Sequence, residues 1–163
     1  MQTLLERLYR DHRQGLFTLA LSIVREPSAA EDAVHEAFVR LCRRPVPPTG
    51  DAAAYVFAAV RNAAIDLGRR RQAQPAIDAS IFDNHPSKTV PPDAPLLGEE
   101  RDRLLRNSVD ELPDEQRQAV VLRLYGGLTF EQMAQVLGEP LSTVSTRYRR
   151  ALEQLRKALE LKV

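Results

Sequence analysis

The 163-residue chain has no tryptophan, one cysteine, two methionines and only 6% aromatic residues. A single thiol, Cys42, excludes an internal disulfide and is compatible with a reducing compartment. Its neighbours Phe38 and Leu41 make a buried structural thiol the expectation. Charge of one sign is also scarce. Basic and acidic side chains number 23 and 22, for a net charge of +1, which is weak for a protein that must hold DNA unaided. No apolar run is long enough to span a bilayer, and the opening MQTLLERLYRDHRQ carries acids where a signal peptide would be uninterruptedly apolar. A cytoplasmic protein is expected. His12, His35 and His85 stand far apart without metal-ligand spacing, and neither a Gly-rich phosphate loop nor a nucleophile motif occurs. The expectation is therefore no enzyme, no catalytic residue, no metal and no cofactor.

What is present is helical periodicity, most clearly in LTFEQMAQVLGEPLSTVSTRYRRALEQL, residues 128–155. Thr129 and Gln132 have the spacing of a capping box, and Phe130, Met133, Ala134 and Leu137 mark one apolar face. Gly138 suits a left-handed helix end, and Pro140 prevents that helix from resuming while permitting a new first turn. Along the next helix Val144, Tyr148, Ala151, Leu152, Leu155 and Leu159 form the inner stripe. Ser142, Thr143, Ser145, Thr146, Arg147, Arg149 and Arg150 occupy the remaining surface. This is a helix-turn-helix pattern whose outer face suits a DNA groove, because small hydroxyls permit close approach and Arg bonds guanine edges or phosphates. A solvated Arg-rich face is the plainer alternative.

In chain order, a first helix is expected from about Leu4 to Val24, with Leu5, Leu8, Leu16, Leu19, Ala20 and Ile23 buried. Pro27 breaks it. Ser28 and Glu31 have capping-box spacing and open a helix to about Arg43, with core positions Ala33, Val34, Ala37, Phe38 and Leu41. The segment PVPPTGD, residues 45–51, is a stiff loop, after which Asp51 caps an Ala-rich third helix to about Arg71. Residues 73–95, rich in Pro, Asp, Ser and Ala, read as a flexible linker. Helical pattern resumes near Leu96 through Leu104, Leu105, Val109 and Leu112. Pro113, at a first-turn position, then starts a helix carrying Ala119, Val120, Leu122 and Leu124 that ends at Gly126 and Gly127. The fold class expected is all-α: two small helical domains, 1–72 and 96–163, joined by a linker at 73–95. Charge is local, with 11 basic and 8 acidic side chains in residues 1–72 and 11 of each in residues 99–163.

These stretches together resemble one family. LPDEQRQAVVLRLYGGLTFEQMAQVLGEPLSTVSTRYRRALEQLRK resembles region 4 of a bacterial sigma factor, and AAEDAVHEAFVRLCRR followed by AYVFAAVRNAAIDLGRRR resembles region 2. Their order, with only a linker between, resembles the extracytoplasmic function (ECF, group IV) sigma factors. The resemblance implies a subunit that binds core RNA polymerase, recognises the −35 and −10 promoter elements and directs transcription initiation under an anti-sigma partner. It places the polymerase contact on Asp32, His35 and Glu36, with His where most relatives have Gln. Recognition and opening of the −10 element fall on Pro48, Thr49, Gly50, Asp51, Arg61, Asn62, Arg69 and Arg70. Recognition of the −35 element falls on Arg123, Ser145, Thr146, Arg147, Arg149 and Arg150, with Arg123 and Arg147 on backbone phosphates. Relatives often have an aromatic at Pro48, Trp at Phe57 and a basic residue at Ser145. Phe57 is better assigned to the core than to base stacking.

A stand-alone helix-turn-helix regulator with N-terminal helices for dimerisation or sensing is the competing reading. It differs in needing no polymerase to find its site. On the sigma-factor reading, the near-neutral charge means that core polymerase supplies most nonspecific DNA affinity and that the free chain binds promoters poorly.

Overall fold

The computed structural model describes residues 2–44, 50–73 and 97–161, and among these every regular element is a helix. Three helices form the first domain: α1 (Gln2–Val24), α2 (Pro27–Cys42) and α3 (Ala52–Ala73). Leu5, Leu16, Leu19 and Ala20 of α1 are buried as the periodicity predicted, and they meet Ala30, Ala33, Val34, Ala37 and Leu41 of α2. Alanines at these positions let the helix backbones approach closely. Val56, Phe57 and Val60 of α3 complete the core, and Phe57 is fully buried. Core packing is thus its role here.

α1 ends because Arg25 turns into the left-handed region, at φ 65°, with its N–H bonded to the Leu21 carbonyl at 2.8 Å. The next cap corrects the sequence expectation. Glu26, not Ser28, is the N-cap of α2. Its extended backbone lets the carboxylate accept the N–H groups of Ser28 and Ala29 at 2.9 and 2.7 Å, and Pro27 occupies the first turn, where a missing N–H leaves no bond unmade. The expected linker lies, apart from Ala73, outside the described residues. Cys42 is a second correction, being exposed. It is the last residue of α2, about 100° around the helix from the buried Leu41.

The second domain comprises α4 (Leu97–Glu111), α5 (Asp114–Val120), a π-helical turn (Val121–Tyr125), α6 (Phe130–Leu137) and α7 (Leu141–Leu161). Pro113 takes the N-cap position and not the first turn, one residue earlier than expected. The helix entering Gly126 changes from α to π. The N–H of Gly126 bonds to the carbonyl of Val121 at 2.9 Å, and the turn leaves Leu124 56% exposed although the pattern had grouped it with the apolar face. In the helix-turn-helix, Thr129 and Gln132 form both bonds of the capping box, and Gly138 adopts φ 65°. Val144, Ala151 and Leu155 of α7 are buried, and Tyr148 packs edge-on against Phe130. Leu152, expected in that stripe, is 39% exposed, because it stands about 100° around α7 from the buried Ala151 and off the face that Val144, Ala151 and Leu155 turn inward.

The two domains touch. α3 packs against α6, while α1 packs against the π turn and α5.

Candidate nucleic-acid interface

The charged side chains of α7 divide by what they touch. Arg149 and Arg150 are exposed, so their guanidinium groups are presented outward from the recognition helix. Ser145 and Thr146 are half-buried, and the Thr146 hydroxyl donates to the Ser142 carbonyl at 2.9 Å, as helical threonines do. Arg147 lies lower on the same helix and pairs with Glu115 and Glu139, each at 3.4 Å. Arg123, one helix back, stacks 4.7 Å above the Phe130 ring and donates to the Leu128 carbonyl at 2.8 Å. Its guanidinium buttresses the entry to the helix-turn-helix.

On α3, Asn62, Arg69 and Arg70 are exposed along one flank. Arg70 reaches back to Glu36 at 3.2 Å, and the same carboxylate holds Arg40 at 2.6 Å. Gly50 has φ 84°, a conformation that glycine adopts without strain. Asp51 caps α3 as expected, one carboxylate oxygen accepting the Ala54 N–H at 2.8 Å, and its other oxygen accepts the side-chain amide of Gln132 on α6 at 2.9 Å. The Ala54 N–H, aided by Gln132, holds the Asp51 carboxyl below the ordinary carboxylate range. Arg61 donates its Nε to Gln118 of α5 at 2.7 Å. Burial, and then the like charge of Arg147, push its pKa down against the pull of Glu139. Pro48 and Thr49 lie outside the described residues.

On α2, Asp32 and His35 are exposed and Glu36 is half-buried under its two arginines. His35 also lines an open groove of about 670 Å³ between α1 and α2, with Tyr9, Phe17, Phe38 and Cys42. The predicted polymerase contacts therefore share one helix face beside a groove of mixed polar and apolar lining.

Sequence reasoning had no role for several residues that shape this surface. Arg117 is 4% exposed and donates to three backbone carbonyls, Ser22 on α1 at 3.1 Å, Asp110 at 3.2 Å and Leu112 at 2.8 Å, and to Asp114. Gln118 holds Arg61, and Glu139 holds Arg147. Gly15 sits so close to the second domain that a Cβ there would be 2.9 Å from the Tyr125 carbonyl oxygen and 3.0 Å from Gly126 Cα. None leaves a local spacing signal. Among the described residues no group of three His, Cys, Asp or Glu side chains is placed to hold a metal ion, and no helix is long and apolar enough to cross a membrane.

Comparison with known proteins matches both halves. Residues 8–74 match the Sigma-70 region 2 family and residues 109–157 match Sigma-70, region 4. The chain is 29% identical over 157 residues to an ECF RNA polymerase sigma factor SigK of Mycolicibacterium vanbaalenii, covering 93% of this chain and 79% of that one. It is also 29% identical over 180 aligned positions to the RNA polymerase sigma-H factor of Pseudomonas aeruginosa, covering 98% of this chain and 93% of that one. Among solved structures it resembles the sigma factor RpoE from Bartonella quintana, in complex with the anti-sigma factor NepR. There the TM-score is 0.66 at 19% identity, over 97% of this chain and 98% of that one. With region 2 and region 4 matched in that order, and relatives of the same type along nearly its whole length, the chain belongs to the sigma-70 family as an ECF-type sigma factor.

Proposed function

We propose that this chain is a group IV sigma factor that binds core RNA polymerase, recognises the −35 and −10 promoter elements and directs transcription initiation. The observation that carries this reading is the pairing of the two sigma regions in one chain, since a stand-alone helix-turn-helix regulator has no use for region 2. Arg149 and Arg150, with Ser145 and Thr146, read the −35 element from α7. Arg123 and Arg147 support that helix and meet backbone phosphates. Gly50, Asp51, Arg61, Asn62, Arg69 and Arg70, with Pro48 and Thr49 outside the described residues, hold the opened −10 strand. A displaced base needs polar groups for its edge and cations for its backbone, and Asn62 and Arg69 offer these two helical turns apart on one exposed flank. Asp32, His35 and Glu36 contact polymerase.

No part of this function asks for a catalytic group, because polymerase makes the phosphodiester bond. The site of action is the chromosome, so the chain works in the cytoplasm. An anti-sigma factor is the expected regulator, in keeping with the solved relative, which is bound to one.

The test is transcription from a library of promoter fragments by bacterial core polymerase plus this chain. Specific initiation that disappears with Asp32→Ala or Arg150→Ala supports the reading. Promoter binding without any association with core points to the stand-alone regulator.

A further inference from the structure

Leu141 opens α7 with its side chain 45% exposed, whereas Val144, one turn on, is fully buried. The turn before it sets this place. Gly138 ends α6 in the left-handed conformation, Pro140 stops that helix from resuming, and the Val144 N–H donates to the Pro140 carbonyl at 3.1 Å. Leu141 is thereby delivered at the leading tip of the recognition helix, and helical side chains tilt further toward that end. From it a ridge runs in steps of four residues through Ser145 to Arg149. Each step drifts about 40° around the axis, so the ridge winds from beside the inner stripe to the exposed Arg149. Ser145 and Arg149 belong to the proposed −35 contacts. Arg147 lies about 120° around from Leu141, and its pairs with Glu115 and Glu139 hold the helix from that other flank.

We propose that Leu141 reads the C5 methyl of a thymine in the −35 element, adding an apolar contact to the specificity that Arg149 and Arg150 supply. The inference rests on the sigma-factor reading. A recognition helix meets base edges with its N-terminal residues, and Leu141 is the first of them. Leucine has no hydrogen bond to give, and the thymine methyl is the one alkyl group that base pairs present in the major groove. Set against the edge of adenine, guanine or cytosine, the same side chain would strip water from donors or acceptors without replacing their bonds. It therefore selects thymine twice over, by covering a methyl and by penalising the polar edges of the other bases.

The test uses the full chain with bacterial core polymerase and the promoter that initiates best in the fragment library. In synthetic copies each thymine of the −35 element, on either strand, is replaced in turn by deoxyuridine, which pairs alike and lacks only the methyl. One position should then lose about fourfold in initiation, the equivalent of about 0.8 kcal/mol for one buried methyl. Leu141→Ala should lose about the same factor on the thymine template and no longer distinguish thymine from deoxyuridine there. Leu141→Met, of similar volume, should restore most of the distinction. Because the side chain is exposed, Leu141→Ala should move the melting temperature by less than about 2 °C. A larger fall, with equal losses on both templates, would assign Leu141 to packing and overturn the proposal. No methyl-sensitive thymine, or one whose sensitivity survives Leu141→Ala, overturns it too, while initiation itself upholds the sigma-factor reading. If the chain does not associate with core, the sigma-factor reading falls. The same thymine series, in binding of the full chain to duplexes selected from the library, then decides the methyl contact by itself.

Discussion

Arg117, in the central helix of region 4, donates its Nε to the carbonyl oxygen of Ser22, 95 positions earlier on the first helix of region 2. The guanidinium is 4% exposed and its remaining donors serve Asp110, Leu112 and Asp114. A buried arginine is tolerated here because backbone acceptors surround it. Arg117→Ala would leave buried carbonyls unpaired, and a loss of about 3 kcal/mol is expected from the urea midpoint. Arg117→Lys should recover only part of this, since an ammonium cannot fork across carbonyls on two helices.

Phe57→Ala should destabilise the chain by about 3–5 kcal/mol, the range for emptying a fully buried aromatic site. Thermal unfolding followed by circular dichroism measures this. A cost under 1 kcal/mol would mean that the ring is not the keystone of the α1–α3 core.

The two caps make acid stability predictable. Burial pushes the Glu26 carboxyl up, but the N–H groups of Ser28 and Ala29, with Arg71, outweigh it and hold the group below its ordinary 4.5. Asp51 is held below its ordinary 3.8 by the Ala54 N–H and Gln132. Both pKa values are lower in the folded chain than in the unfolded one. Their stabilisation is therefore complete above the ordinary values and fades as pH falls from about 4.5 downward. Denaturant titrations at stepped pH should show stability declining in that window, with a shallower decline in Asp51→Asn, which keeps a capping oxygen but does not titrate. An unchanged slope would remove Asp51 from the account.

Arg150→Ala should lower initiation from the matched promoter by roughly 5- to 150-fold, the equivalent of about 1–3 kcal/mol for a lost bidentate base contact. Arg147→Ala should cost less in promoter discrimination, because that guanidinium already serves Glu115 and Glu139. Initiation rates on matched and mutated −35 sequences check the order. Equal losses would place Arg147 at the base edges too.

How far the sequence disclosed this structure depended on the reach of each signal. The Thr129–Gln132 capping box, the left-handed Gly138 and the Asp51 cap are local arrangements of three or four residues, and all appear as expected. At α2, Ser28 and Glu31 carried the usual capping signal, but Glu26 reached two N–H groups first. Cys42 and Leu152 had apolar neighbours in sequence yet sit at helix positions that no other helix covers. The contacts Asp51–Gln132, Arg61–Gln118 and Arg117–Ser22 join residues 57 to 95 positions apart, and nothing in residue spacing announces such pairs. The candidate promoter contacts came from family resemblance alone, whereas the bonds that Asp51 and Arg61 make to the second domain left no signal in the sequence.

The π turn at Val121–Tyr125 takes up one more residue than an α-helical turn would, its ladder closing from the Gly126 N–H to the Val121 carbonyl. The widened turn absorbs that residue, where an extra residue in a regular α-helix would rotate all that follows by about 100°. Deleting Leu124 should therefore let the turn close as an ordinary helix and leave the helix-turn-helix near its present orientation to α5. The exposed Leu124 is slack in the chain more than a contact, and its removal would show whether anything but the wide turn depends on it.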